Sequence, residues 1–144
     1  MSYSLDANVL RFASDRTSDR HGAARDFLEL CAAHPEVLCV TWPTVMAYLR
    51  IATHPSIFAA PLTPEEALAN VNALRALPQT RVVSEQDGFV DAYLHVTAST
   101  TGRSNLVPDA HVAAILFQNG MRTLYSNDRD FRKFESLDVR DPFA

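Results

Sequence analysis

Between Glu36 and Thr41 the chain carries Val37-Leu38-Cys39-Val40, four apolar residues with no polar one among them. A strand with one wet face alternates apolar and polar side chains, so an unbroken run of this length reads as a strand covered on both faces. The pattern on either side is helical. Before the run, Ala23, Ala24, Phe27, Leu28, Leu30 and Cys31 form a stripe that Pro35 closes. After it, Thr41-Trp42-Pro43-Thr44 reads as a helix entrance with proline in the first turn, continued by Val45, Met46, Leu49 and Ile51 and ended by His54-Pro55. A strand buried on both faces and set between helices belongs in a parallel sheet with helices packed on it.

The rest of the chain repeats the alternation. Tyr3-Ser4-Leu5 is a short strand leading into Asp6-Ala7-Asn8, after which Val9, Leu10, Phe12 and Ala13 have helical spacing. Residues 14–21 are polar, as in a surface loop. Thr63-Pro64-Glu65-Glu66 combines a threonine cap, proline at the first position and glutamate three residues past the cap, and Ala67, Leu68, Val71, Leu74 and Leu77 make the buried stripe behind it. Arg81-Val82-Val83 follows as a strand, then a helix from Phe89 to Thr100 with Gly102 after it. Val107-Pro108-Asp109 opens a further helix, with Pro108 at its first position and Val112, Ala113, Ile115, Leu116 and Phe117 on a broad buried face, and Gly120 stops it. A strand from Arg122 to Ser126, the acidic loop Asn127-Asp128-Arg129-Asp130-Phe131 and a last strand over Leu137 to Arg140 complete the series. The order predicts an α/β sandwich around a mostly parallel sheet, in a single domain over residues 1–144. Two consecutive helices from Pro43 to Leu77 separate the second and third strands and offer a surface for a partner or a second copy.

Net charge narrows the functional classes. At −4 the chain lacks the broad basic face of a protein that coats nucleic acid. A local rim is another matter: of 13 basic residues only Lys133 is lysine, and arginine can hold a phosphate bidentately. No apolar run approaches the ~20 residues of a membrane span. Asp6 and Arg11 interrupt the first apolar residues, so no signal peptide is expected and a cytoplasmic location is. Cys31 and Cys39 sit among apolar residues and read as buried thiols.

The acids carry the chemistry. Asp6 follows the first strand, Asp109 lies at the start of a helix, and Asp128 with Asp130 lies after a later strand. In an open parallel sheet the carboxyl ends of strands are where sites are built. Taken alone, Asp6 also reads as the cap of the helix that follows it. Carboxylates brought together repel one another unless a proton or a cation intervenes, and a set offering only oxygen suits Mg²⁺ or Mn²⁺ better than Zn²⁺. A hard cation in such a pocket points to phosphodiester hydrolysis.

Four stretches in the same order, Leu5-Asp6-Ala7-Asn8-Val9-Leu10, Leu49-Arg50-Ile51-Ala52-Thr53-His54-Pro55, Asn105-Leu106-Val107-Pro108-Asp109-Ala110-His111 and Tyr125-Ser126-Asn127-Asp128-Arg129-Asp130-Phe131, make the chain resemble a PIN-domain ribonuclease, specifically a VapC-type toxin of a toxin–antitoxin pair. The resemblance spans essentially the whole chain. It implies Asp6, Asp109 and Asp128 as catalytic and metal-binding acids, with Asp130 extending the cluster and ranking behind Asp128. It implies supporting roles for Asn8 and Ser126 beside the metal or its waters, a cognate VapB-type antitoxin, an RNA substrate and a homodimer.

One departure stands out. Many PIN domains carry a glutamate just before the aromatic-Leu-Arg group, and in Met46-Ala47-Tyr48-Leu49-Arg50 that position is Ala47. A methyl group cannot bind metal, so a second reading is a catalytically impaired PIN module kept, or engineered, for partner binding. A haloacid-dehalogenase-like phosphatase is a weaker third reading, because it wants a second aspartate where Asn8 stands. Arg50 reads equally as a contact to RNA phosphate and as an ion-pair partner of the acids. Arg103 and Arg129 are candidates for the phosphate rim, whereas Arg132 and Lys133 read better as solvated surface. His54 and His111 are not required by metal-activated water, and His111, two residues past Asp109 on one helix, should point away from it.

Overall fold

The computed structural model describes residues 2–101 and 103–144, so Gly102, expected to close the helix begun at Phe89, lies outside the described residues, as does Met1. The elements are β1 (Ser2–Leu5), α1 (Ala7–Ser14), α2 (His21–Ala33), β2 (Val37–Thr41), α3 (Trp42–Ala52), α4 (Pro64–Arg75), β3 (Thr80–Val83), α5 (Phe89–Thr97), α6 (Leu106–Gln118), β4 (Thr123–Tyr125) and β5 (Asp138–Arg140). A 3₁₀ turn over Arg129–Lys133 lies between the last two strands. The strands form one sheet in the order β3-β2-β1-β4-β5. Every pairing is parallel, which goes further than the mostly parallel sheet expected.

Both faces are covered, and the twofold alternation of a strand assigns its residues to them. Leu38 and Val40 of β2 join Tyr3 and Leu5 of β1 in a core closed by Val9, Leu10, Cys31, Val45, Tyr48, Ala52, Ala67 and Val71, all from α1 to α4. Cys39, one residue out of phase, joins Leu124 of β4 in a second core under α5 and α6, with Ala113, Leu116, Phe131 and Phe134. The consecutive helices α3 and α4 therefore sit on the same face as α1 and α2.

Local signals explain the ends of the helices. Thr63 Oγ1 accepts the Glu66 N–H at 3.1 Å and Glu66 Oε1 accepts the Thr63 N–H at 3.1 Å, the reciprocal cap that the sequence spells out. Gly120 takes φ +69°, which lets the N–H of Met121 reach the Leu116 carbonyl at 2.9 Å and its own N–H reach that of Phe117 at 3.1 Å, tying off α6. The start of α6 differs from expectation. It begins at Leu106, so Pro108 is the third helical residue; the first N–H groups of a helix have no internal acceptor, and a proline there forfeits nothing. Asp109 is thereby moved to the end of the first turn.

The expected apolar stripes are narrower than their apolar residues. Leu30, Met46, Leu68 and Phe117 are exposed, Phe117 at 40% with its ring stacked on His95 at 4.5 Å. A helix rich in apolar residues on most of its circumference can bury only the arc that meets the sheet and its neighbours. No helix among the described residues is long and apolar enough to cross a membrane.

Candidate active site

The site lies on the carboxyl edge of the sheet, where β1 and β4 run side by side with Leu5 opposite Tyr125. That register places Asp6 and Ser126 next to each other, and the Asp6 N–H donates to the Tyr125 carbonyl at 3.0 Å. Ser126 is buried and serves both sides of the junction. Its Oγ donates to Asp6 Oδ2 at 2.9 Å and accepts the Asp128 N–H at 3.0 Å. Its own N–H donates to the Arg140 carbonyl at 2.9 Å, pinning the loop to β5. The other Asp6 oxygen, Oδ1, accepts the Ala7 N–H at 2.7 Å, so Asp6 caps α1 and faces the site at once. The two readings of this residue coexist because a carboxylate has two oxygens.

Asp109 arrives from the first turn of α6, and Asp128 and Asp130 arrive from the loop after β4. One carboxylate oxygen from each of these three lies within 4.8 Å of the others. Asp128 Oδ1 also accepts the Asp130 N–H at 2.9 Å, which caps the 3₁₀ turn and fixes the spacing of the pair. Asp6 stands outside this mutual set and is joined to it through Ser126 and through its field.

The charges are strained. Burial pushes Asp6 up to about 6; the Ser126 hydroxyl and the Ala7 N–H pull against this, Asp128 adds to it, and the Asn8 N–H again opposes it. Burial also pushes Asp109 up to about 7, followed by the fields of Asp128, Asp6 and Asp130, with Lys133 opposing. Lys133 is exposed, as expected of a surface residue, and its Nζ lies 3.2 Å from Asp130 Oδ1. A divalent cation would relieve what one ammonium leaves uncompensated, and the donor set, all hard oxygen with no cysteine or histidine, fits Mg²⁺ or Mn²⁺.

The remaining expected residues fall in different places. Asn8 is half-buried beside Asp6, and Arg103 is exposed just ahead of α6, where its carbonyl accepts the Leu106 N–H at 3.0 Å. Arg129 and Arg132 are exposed on the 3₁₀ turn. Arg50 is not brought to the acids: α3 leaves the carboxyl edge at Trp42, and Arg50 is eight residues on, about 12 Å along the axis. It is exposed, and among the described residues the ion pairs join Glu85 to His111, Asp130 to Lys133 and Asp138 to Arg140, so its ion-pair reading is not realised. Ala47 is half-buried on the second turn of α3. His111 turns to Glu85 and sets its ring against Phe89 at 5.5 Å, while His54 Nδ1 accepts the Ser56 N–H at 3.0 Å within its own turn.

Two features escaped the sequence reading. Asn127 Oδ1, between Ser126 and Asp128, is buried without a hydrogen-bond partner among the described residues. At the carboxyl end of β2, Thr41 Oγ1 donates to Thr44 Oγ1 at 2.9 Å in a fully buried pair that also caps α3. Spacing marked Thr41 as a helix entrance, and only the parallel register puts it on the same edge as Asp6.

A family model described as PIN domain matches residues 3–137. The chain is 42% identical over 144 residues to Ribonuclease VapC48 of Mycobacterium tuberculosis, covering 100% of this chain and 99% of that one. It is 29% identical over 133 residues to Ribonuclease VapC37 of the same organism, covering 92% of each. Among solved structures it is similar to VapBC2 from Rickettsia felis bound to a promoter DNA fragment, with a TM-score of 0.68 at 16% identity and 98% of each chain covered. It is likewise similar to the sarcin-ricin-loop-cleaving toxin VapC20 of Mycobacterium tuberculosis, with a TM-score of 0.66 at 18% identity over 94% of this chain and 98% of that one.

Proposed function

The chain belongs to the PIN-domain family, among the VapC ribonucleases, and on that premise we propose that it is a metal-dependent endoribonuclease, the toxin of a toxin–antitoxin pair. The observation that carries the reading is the convergence of Asp109, Asp128 and Asp130 within 4.8 Å, with Asp6 hydrogen-bonded to the same loop through Ser126. Two of the four are pushed up to about 6 and about 7, the condition of a carboxylate set short of positive charge.

In this mechanism Asp109, Asp128 and Asp130 would hold the cation, with Asp6 completing the acidic wall. Bound Mg²⁺ or Mn²⁺ supplies the Lewis acidity that activates water and offsets charge on the phosphate. Ser126 orients Asp6 by donating a hydrogen bond to it from its hydroxyl, and Asn8 steadies the same carboxylate through its N–H. Asp128 keeps Asp130 at fixed distance through the cap of the 3₁₀ turn. Arg103, ahead of α6 and near its acid-bearing end, supplies positive charge at the rim for the RNA strand. Arg50, further away, is assigned to strand contact beyond the scissile bond.

The partner follows from the relatives. VapBC complexes recur among the similar structures, which supports a VapB-type antitoxin for this chain. Exposed apolar side chains on α3, α5 and α6, namely Trp42, Met46, Val90, Leu94, Val107 and Phe117, give a homodimer a face to bury. We place the protein in the cytoplasm, as one domain.

Ala47 favours a second reading, an impaired module kept for partner binding, since its methyl offers no ligand. Titration of the purified chain with Mn²⁺ by calorimetry, together with cleavage of single-stranded and structured RNA, separates the two. The ribonuclease reading expects binding and cleavage that Asp109→Asn abolishes; cation binding without any cleavage would favour the second reading.

A further inference from the structure

We propose that Arg11 and Arg20, held on the rings of Phe12 and Phe143, form a preorganised clamp for the phosphate backbone of a single-stranded RNA outside the acidic centre. The proposal rests on the ribonuclease reading above. The Arg20 guanidinium lies 5.7 Å from the ring centre of Phe12 and 5.6 Å from that of Phe143, and Arg11 lies 5.2 Å from Phe12. The two rings meet edge to face at 5.8 Å. Two cations thus share one aromatic platform.

Arginines on a protein surface are ordinarily held by carboxylates, which spend their donors and cancel their charge. Neither arginine is in an ion pair among the described residues. Among the acids close in sequence, Asp15 Oδ1 accepts from Thr17 N at 3.1 Å and Thr17 Oγ1 at 2.7 Å, and Asp141 Oδ1 accepts the Phe143 N–H at 2.8 Å. Ring stacking immobilises a guanidinium while leaving its in-plane N–H donors and full charge for another anion. Holding the side chain beforehand also removes part of the entropy that a free surface arginine loses on binding.

The location suits a strand that leaves the acids. Helix α1 starts at the Asp6 cap, and Arg11 is five residues on, about 7.5 Å along the axis. Phe143 follows β5, whose Arg140 carbonyl accepts the Ser126 N–H. Two of the three segments that build the clamp therefore depart from the edge that carries the site, and Arg20, at the N-cap position of α2, lies over the rings that both of them supply. An acidic protein segment would also suit two cations, but on the ribonuclease reading an RNA strand is what passes the edge that carries the site, and its phosphates recur along its whole length.

The test is fluorescence anisotropy of a labelled single-stranded RNA oligonucleotide as a function of salt, with divalent ions chelated so that binding is read without cleavage. Arg20→Gln is expected to weaken binding several-fold and to lower the slope of log affinity against log salt by about 0.7, the loss of one phosphate contact on a single strand. Arg20→Lys should restore the slope and only part of the affinity. Arg122→Gln, at the opposite edge of the sheet, serves as the control. Arg20→Gln indistinguishable from that control, in a parent chain that binds RNA, overturns the clamp and leaves the ribonuclease reading standing. The same holds if Arg20→Gln weakens only capture of a poly-aspartate peptide. A parent that neither binds nor cleaves RNA overturns the ribonuclease reading, and the clamp with it.

Discussion

Ser126 donates its hydroxyl to Asp6 Oδ2 at 2.9 Å across 120 positions of sequence, and the same oxygen accepts the N–H of Asp128. One buried hydroxyl thus joins the acid after the first strand to the acid after the fourth. Ser126→Ala leaves both groups without that partner, which costs about 1–3 kcal/mol of stability. It also removes an interaction that favours ionised Asp6, so the carboxyl moves further up. The expected outcome is a lower melting temperature with RNA cleavage reduced more than RNA binding; a cleavage rate and melting temperature equal to the parent's would refute it.

Stability of the metal-free protein should fall as pH rises. Asp6 and Asp109 titrate near 6 and 7 in the folded chain, against about 3.9 for an unfolded aspartate. Between these values the folded state binds more protons than the unfolded one, so protonation favours folding. This contribution is complete below about pH 4 and is lost as pH climbs through 6 and 7. Melting curves in chelator at pH 5.5 and pH 8 should show the loss, and Mn²⁺ should reverse it at pH 8.

Asp109→Asn should separate stability from function. The amide removes one charge from a set in which Asp128, Asp6 and Asp130 all disfavour its ionisation. At pH 8 without metal the variant is expected to melt higher than the parent, to lose most of the pH dependence, and to bind Mn²⁺ at least tenfold more weakly. Chemical denaturation and calorimetry read the two effects separately.

Ala47→Glu tests the missing ligand. Ala47 is half-buried on the second turn of α3, the helix that leaves the carboxyl edge of β2. Tighter Mn²⁺ binding and faster RNA cleavage are expected if the acids lack one donor, and unchanged values for both count against that reading.

Leu116→Ala should cost about 2–5 kcal/mol, because its side chain is fully buried in the core under α6. Phe117→Ala, one residue on and exposed, should change monomer stability little and should weaken self-association, which sedimentation of both variants would record.

Much of this architecture was legible in residue order. The Val37–Val40 run required two covered faces, and the reciprocal Thr63–Glu66 cap marked the start of its helix to the residue, though the helix ends at Arg75, short of Leu77. The acids were also legible, since each stands at the end of an element. What periodicity could not supply was which strand lies beside which: β1 sits between β2 and β4, and only that order brings Asp6 to Ser126. The start of α6 was misplaced because proline is tolerated through the first turn and not only at its first residue. The two readings of Arg50 stayed open in the sequence because spacing says nothing about how far along a helix the edge of the sheet extends, and the ion-pair one is not realised among the described residues. Phe117 was counted as core because an apolar residue carries no mark of which arc of its helix will be covered.

The central place of β1 also sets a schedule for synthesis. β1 is made before the other strands of its sheet, yet its neighbour on one side is β4, more than 100 residues later. Until that segment emerges, Asp6 has neither the serine that orients it nor the acids that share its pocket. On the ribonuclease reading, a chain that stops short of β4 therefore has no assembled acidic site, and the chemistry waits on a single long-range strand pairing.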